Sequence, residues 1–176
     1  MEKSIIIAGY GGQGVLFFGT TLAQAAMLEG KNTTWIPSYG AEMRGGHANC
    51  SVKISDNEIA SPIIDYADYG IFLNDKAMEK FEKSMAKDSL VIANASIIEK
   101  TPSRNDVDYL MVKLGDCTQS IEGGLLNIVT LGYFIKKTQI LKKQSALNAL
   151  EFVSKKKNPA FLKRNLESFE AGYNFE

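Results

Sequence analysis

The fold is decided near the start of the chain by Ser4-Ile5-Ile6-Ile7-Ala8 and the glycine-rich Gly9-Tyr10-Gly11-Gly12-Gln13-Gly14 that follows it. The apolar run has no polar alternation, which is typical of a β-strand that is covered on both faces. From residue 12 to residue 29 the apolar side chains take helical spacing, and Gly30 follows as a stop signal. A strand, a glycine turn and a helix in this order predict a mainly parallel α/β sheet.

Later segments extend this pattern. Further apolar runs predict strands at residues 33–36, 69–73, 90–93 and 109–112. Residues 48–54 alternate small or apolar with polar side chains, and turn-forming residues follow at 55–58, so we expect an inserted antiparallel hairpin that continues at Ile59.

The last segment carries an apolar stripe at helical spacing. Its members are Leu162, Leu166, Phe169 and Tyr173. We therefore expect a single domain over residues 1–176. Its three-layer α/β core, with a mostly parallel, mixed, Rossmann-like sheet, covers about residues 1–140, and a helical C-terminal extension covers about residues 141–176.

The composition excludes several classes of protein. The 20 basic and 20 acidic side chains give a formal charge of zero, so we expect no nucleic-acid partner. The opening apolar run is too short for a signal peptide or a membrane span, so we expect no membrane association and a cytoplasmic location. Two widely separated cysteines and a single histidine, His47, form no metal-ligand or cluster motif.

Positive charge is concentrated in residues 136–164, which contain nine basic side chains and one acidic one. Two interpretations are open. The segment is either a solvated helix face or a surface that docks an acidic partner or an anionic ligand.

A second glycine-rich loop follows the second predicted strand and reads Pro37-Ser38-Tyr39-Gly40-Ala41-Glu42-Met43-Arg44-Gly45-Gly46-His47. Loops that leave neighbouring strands meet at the sheet edge where α/β proteins bind ligands, and bare glycine N–H groups and an arginine suit a phosphate, a carboxylate or a partner's backbone. The candidate ligand- or partner-contacting residues are Gly9, Gly11, Gly12, Gln13, Gly14, Ser38, Tyr39, Arg44, Gly45 and Gly46. No nucleophile is paired with a base, so we predict no catalytic residue; His47 is either a general base or a structural or interfacial histidine.

The spacing Gly9-x-Gly11-x-x-Gly14 matches the dinucleotide-binding fingerprint and stands in the expected strand-to-helix position. The acid that should bind the ribose at the end of the second strand is missing, because the nearest acids are Glu29 and Glu42. A generic anion-binding or close-packing turn is therefore the favoured interpretation, and NAD binding stays an alternative.

Three segments together resemble the gamma subunit of 2-oxoacid:ferredoxin oxidoreductases: residues 7–15, 35–46 and 48–52. The motif Pro37-Ser38-Tyr39-Gly40, with Asn49-Cys50 and Ser61-Pro62 after it, most resembles the sequence of the small subunit of the 2-oxoglutarate (or 2-oxoisovalerate) enzymes. A related indolepyruvate-type subunit shares the first glycine motif. The resemblance extends over most of the chain in length and in the order of elements.

This resemblance implies a complex that oxidatively decarboxylates a 2-oxoacid, here 2-oxoglutarate, on thiamine diphosphate and Mg, passes electrons through iron–sulfur clusters to ferredoxin, and forms an acyl-coenzyme A. It implies alpha, beta and ferredoxin-like delta subunits as partners, and a gamma chain that binds no cofactor alone and is inactive alone. A further hypothesis is a contact with coenzyme A, either through the glycine turn and Arg44 or through residues 136–164. The alternatives are a stand-alone Rossmann-type NAD(P)-binding oxidoreductase and a binding module outside any oxidoreductase.

Overall fold

The computed structural model describes residues 1–39, 46–119, 121–154 and 159–176. The strands are β1 (Glu2–Tyr10), β2 (Asn32–Tyr39), β3 (His47–Ser55), β4 (Ala67–Phe72), β5 (Met85–Asn94) and β6 (Val107–Val112). The helices are α1 (Val15–Leu28), α2 (Asp75–Phe81), α3 (Gly115–Thr118), α4 (Leu126–Thr138), α5 (Lys143–Ser154) and α6 (Pro159–Tyr173). A 3₁₀ turn (Glu82–Ser84) follows α2.

The strands form one mixed sheet in the order β2-β3-β1-β4-β5-β6. Strands β1, β4, β5 and β6 pair in parallel, whereas β3 is antiparallel to both β1 and β2. This arrangement confirms the expected mixed, Rossmann-like α/β fold with an inserted antiparallel hairpin.

The position of that hairpin differs from the prediction. It consists of β2 and β3, while residues 55–58 lead into an exposed connection to β4, and Ile59 lies in no strand. Strand β3 separates β2 from β1, so the first two strands of the chain, β1 and β2, are not neighbours in the sheet. The alternation in residues 48–54 identifies a strand with one buried face, but it carries no information about which strands lie at its two edges.

The apolar run of β1 is buried on both faces of the sheet. Ile5 and Ile7 belong to the larger core, which includes side chains from α1, α4, α5 and α6. Ile6 and Ala8 belong to a smaller core on the opposite face, which includes side chains of α2. Two covered faces explain why the run has no polar alternation.

The C-terminal helix α6 completes the larger core. Phe169 is fully buried there, and Leu166 and Tyr173 pack against the same cluster. Helix α6 lies so close to α4 that Gly132 and Gly172 face the backbone of the opposite helix. The division into a core and a helical extension at about residue 140 stays a prediction.

One buried carboxylate joins the 3₁₀ turn to β6. Glu82 is 6% exposed and accepts hydrogen bonds from the Ser103 backbone N–H at 2.8 Å and from the Tyr109 hydroxyl at 2.7 Å. The Ser103 hydroxyl also donates to it. Burial opposes ionisation, but the hydrogen bonds from Ser103 and Tyr109 outweigh it and lower the pKa of Glu82.

We expect Glu82→Gln to lower the free energy of unfolding by about 2–3 kcal/mol at neutral pH, because the charge is lost and the amide nitrogen that replaces Oε2 cannot accept the hydrogen bond from the Ser103 hydroxyl. The pKa is lowered in the folded state, so this stabilisation is present above the unfolded carboxyl pKa and is lost as the pH falls through the folded value. Urea unfolding at neutral pH and at about pH 3 measures both effects. Glu79→Gln, at a side chain 69% exposed, is the control and should change little; an equal loss there would refute the interpretation.

Candidate functional site

The glycine turn after β1 lies at the point where the helices change faces. Strand β1 leads to α1 on one face of the sheet, and the neighbouring strand β4 leads to α2 on the other. Open α/β sheets bind ligands in the crevice that this change creates at the C-terminal ends of the strands. The candidate site is therefore the edge formed by the ends of β1 and β4.

In this protein the side chain of Gln13 fills that crevice. Its Oε1 accepts hydrogen bonds from the Tyr10 backbone N–H at 2.6 Å and from Asn74 Nδ2 at 3.1 Å. Its Nε2 lies 3.5 Å from the Leu73 carbonyl oxygen, at the long limit for a hydrogen bond. Gln13 thus joins the end of β1 to the end of β4, and its role as a ligand-contacting residue stays a prediction.

The first and last glycines of the fingerprint make room for side chains of this chain. A Cβ at Gly9 would lie 2.6 Å from Gln13 Oε1. Gly14 has a φ of 74°, and a Cβ there would overlap the side-chain amide of Asn127. Asn127, which is 6% exposed, donates from Nδ2 to the Gly14 carbonyl oxygen at 3.2 Å. These contacts support the close-packing interpretation of the motif, because they occupy the backbone surface at Gly9 and Gly14 that a dinucleotide would contact.

The two glycine-rich loops do meet, as expected. The Gly11 N–H donates to the Gly46 carbonyl oxygen at 2.9 Å, and the rings of Tyr10 and His47 stack with centroids 6.4 Å apart. Gly12, at a φ of 96°, is exposed and has nothing within 4 Å of its Cβ position. Gly12 is therefore the open part of the turn.

A cavity of about 660 Å³ lies beside the turn, between α1 and the β2–β3 hairpin. Its walls are mainly apolar and include Tyr10, Gly12, Val15, Phe17, Trp35 and Pro37. Gly19 of α1 makes room for the indole, because a Cβ there would lie 2.8 Å from Trp35 Nε1. An apolar or aromatic group fits such walls better than a bare charge does.

The other predicted contact residues have different outcomes. Ser38 is exposed on β2, and strand alternation places it on the opposite face of the sheet from Trp35 and Pro37. Tyr39 ends β2. Arg44 and Gly45 lie outside the described residues. Sequence reasoning missed Asn74, Asn127 and Trp35; the packing of α4 against the turn is tertiary, so no local signal identifies Asn127.

The two cysteines lie in separate elements, Cys50 in β3 and Cys117 in α3. Cys50 is buried with its Sγ 3.5 Å from the Val15 carbonyl oxygen, and burial raises the pKa of its thiol to about 12. The other cysteine, Cys117, is partly buried in α3, and the described residues contain no group of three His, Cys, Asp or Glu side chains that could hold a metal. No helix in the described part of the chain is long and apolar enough to cross a membrane.

The fold and the site define a mixed α/β domain with a Rossmann-like glycine turn whose first and last glycines pack against side chains of the same chain. The sequence matches the model of the family described as pyruvate ferredoxin/flavodoxin oxidoreductase over residues 4–175, and the chain belongs to this family. This match, together with the 2-oxoglutarate synthase KorC subunits and a solved gamma subunit that are similar to this chain, confirms the gamma-subunit resemblance. The stand-alone NAD(P)-binding alternative is not supported by these comparisons.

Relatives of similar length are small subunits. The 2-oxoglutarate synthase subunit KorC of Methanocaldococcus jannaschii is 32% identical over 98% of this chain and 93% of its own. The structure of a keto/oxoacid ferredoxin oxidoreductase gamma subunit from Geobacter sulfurreducens has a TM-score of 0.80 at 26% identity, covering 97% of this chain and 96% of that one.

Longer relatives match in part. The ketoisovalerate oxidoreductase subunit VorA of Methanothermobacter thermautotrophicus is 42% identical over 54% of this chain, which spans only 20% of that relative's length. A 2-oxoglutarate:ferredoxin oxidoreductase from Magnetococcus marinus has the same fold, with a TM-score of 0.85 at 21% identity, over 97% of this chain and 30% of that one.

Proposed function

We propose that this chain is the gamma subunit of a multi-subunit 2-oxoacid:ferredoxin oxidoreductase that converts 2-oxoglutarate and coenzyme A to the acyl-coenzyme A. The observation that carries the proposal is the nearly end-to-end match to a 2-oxoglutarate synthase subunit, at 32% identity. The higher identity to the ketoisovalerate subunit covers only about half of this chain. Branched-chain 2-oxoacids are therefore the second candidate substrates.

Alpha, beta and ferredoxin-like delta subunits are the proposed partners, and the proposed complex is cytoplasmic. In this proposal the partners carry the thiamine diphosphate, Mg and iron–sulfur clusters, as the family resemblance implies, while Cys50 of this chain is a buried thiol directed at the Val15 carbonyl oxygen. The glycine turn supports a packing role, since Gln13 and Asn127 fill the space around Gly9 and Gly14. Bond-breaking chemistry then belongs to the partner subunits.

Reconstitution tests the proposal. We expect the purified chain alone to show no 2-oxoacid-dependent reduction of a viologen dye, and the complex to recover it when the chain is added to its partner subunits. With 2-oxoglutarate, kcat/KM should exceed the values for 2-oxoisovalerate and indolepyruvate by at least about tenfold. A complex that is fully active without this chain, or a chain that turns over an oxoacid alone, contradicts the proposal.

A contact with coenzyme A is a finer part of the proposal. The structure of the Magnetococcus marinus enzyme contains coenzyme A and succinyl-CoA, and at 21% identity it is comparable to this chain in fold alone. The open Gly12 and the adjoining apolar cavity are one candidate contact, together with Arg44. Calorimetric titration with coenzyme A tests this, and heats unchanged by Arg44→Ala would exclude Arg44.

A further inference from the structure

A second hollow, of about 660 Å³, lies between the connection that precedes α4 and the first turns of α6. Its lining side chains are mostly charged. They include Glu122, Phe161, Lys163, Arg164 and Glu167, with Gly123 at the rim. It is separate from the crevice that Gln13 fills, and its chemistry depends on which of these charges already have partners.

Packing holds the Arg164 side chain in place. Its guanidinium carbon lies 5.1 Å from the centroid of the Phe161 ring, which is a cation–π distance. Gly123 has a φ of 66°, and a Cβ there would lie 2.9 Å from Arg164 Nη1 and 3.3 Å from Arg164 Cδ. A side chain at residue 123 would therefore require the Arg164 guanidinium to shift from this position.

The donors of Arg164 are not used by the described part of the chain. Arg164 forms no hydrogen bond or ion pair with a described residue, and its Nε is shielded from solvent without an acceptor. Arg104 is the useful comparison, because its guanidinium donates to both carboxylate oxygens of Asp106 and to the Met85 carbonyl oxygen. An arginine with a structural role normally donates hydrogen bonds to acceptors of this kind within the protein.

The acids of the hollow do not neutralise Arg164 directly. Glu167 lies 3.7 Å from Lys163, so these two charges pair with each other. Glu122 is exposed and forms no ion pair with Arg164. The guanidinium is therefore a fixed cation that faces a hollow and lacks a carboxylate partner among the described residues.

We propose that Arg164 binds an oxyanion, a phosphate or a carboxylate group of a small ligand, in this hollow. A guanidinium donates two parallel N–H groups to such a group, and a geometry already fixed by Phe161 and Gly123 reduces the ordering needed on binding. The hollow also adjoins the glycine-turn cavity, because Phe161 contacts Phe17 edge-on with ring centroids 6.1 Å apart. A ligand of the proposed enzyme could then meet both surfaces.

Solution NMR of the full ¹⁵N-labelled chain tests this site. We expect inorganic pyrophosphate to shift the Arg164 Nε–Hε and Gly123 amide signals in a saturable way. Separate titrations with coenzyme A and with 2-oxoglutarate distinguish a phosphate source from a carboxylate source; only the choice of these two ligands rests on the proposed function. If no anion shifts these signals, or if the lysines at positions 83 and 87 shift equally, the site is refuted.

A pair of neighbouring variants gives the second measurement. Arg164→Lys keeps the charge and loses the planar fork, so the affinity for the best anion should fall by about tenfold. Lys163→Gln removes a charge that already pairs with Glu167, so the affinity should change by less than about twofold. Equal affinities for wild type and Arg164→Lys would overturn the proposal. These titrations need no partner subunit, so their failure is distinct from a failure of reconstitution.

Discussion

Gly132→Ala and Gly172→Ala should each lower the free energy of unfolding by about 2–4 kcal/mol, although alanine favours a helix by about 1 kcal/mol over glycine. The reason is the contact between α4 and α6. A Cβ at Gly132 would lie 2.8 Å from the Tyr173 backbone N and would overlap the Phe169 carbonyl oxygen. A Cβ at Gly172 would overlap the Val129 carbonyl oxygen.

Thermal and urea unfolding measure this effect. Asn148→Ala, at an exposed position of α5, is the matched control because it also raises helix propensity, touches no other helix, and removes only an exposed hydrogen bond from Gln144 Nε2. We expect the control to stay within about 0.5 kcal/mol of wild type. If either glycine variant unfolds like the control, the two helices do not approach each other as closely as described. Melting of α6 alone, with the sheet intact, would support treating residues after about 140 as an extension.

Gly14→Ala is the second change with a large expected effect, again about 2–4 kcal/mol of lost stability. Two causes add. The φ of 74° is unfavourable for a residue with a Cβ, and that Cβ would overlap the Asn127 amide, whose Nδ2 donates to the Gly14 carbonyl oxygen. Gly12→Ala is the control, because its φ of 96° carries backbone strain while nothing lies within 4 Å of the added atom.

Urea unfolding of the two variants separates strain from overlap, since only Gly14→Ala includes both. The double variant Gly14→Ala, Asn127→Ala removes the overlapping amide. We expect its loss of stability to be smaller than the sum of the single losses by about 1–2 kcal/mol. Additive losses would show that Asn127 does not contact the turn. Equal losses for Gly12→Ala and Gly14→Ala would leave backbone strain as the whole explanation.

Several features of the fold were predictable because they depend on local pattern. The uninterrupted run Ser4-Ile5-Ile6-Ile7-Ala8 predicts a strand covered on both faces, and β1 has that environment. The stripe that includes Leu166, Phe169 and Tyr173 predicts a buried helix face, and α6 packs that face into the larger core. The spacing of apolar residues indicates which face of a helix or strand is exposed to solvent.

Local pattern did not predict the position of the hairpin in the sheet or the side chains that pack around the glycine turn. The alternation of residues 48–54 is the same whether the strand pairs with a following segment or inserts between β1 and β2. The fingerprint glycines likewise identify a close approach at Gly9 and Gly14, but not what approaches. Asn127 follows Gly14 by more than a hundred residues and reaches it only through the packing of α4.

Local sequence patterns were sufficient to predict the family, the α/β class and the glycine positions at which other atoms approach the backbone closely. Periodicity and glycine placement are properties of a short stretch, and a short stretch is enough to state them. The tertiary structure decided that Gln13 and Asn127 occupy the space these glycines leave, and that Arg164 faces a hollow without a described acceptor. Those outcomes depend on contacts between residues far apart in the chain, whose geometry exists only after the sheet and its helices have packed.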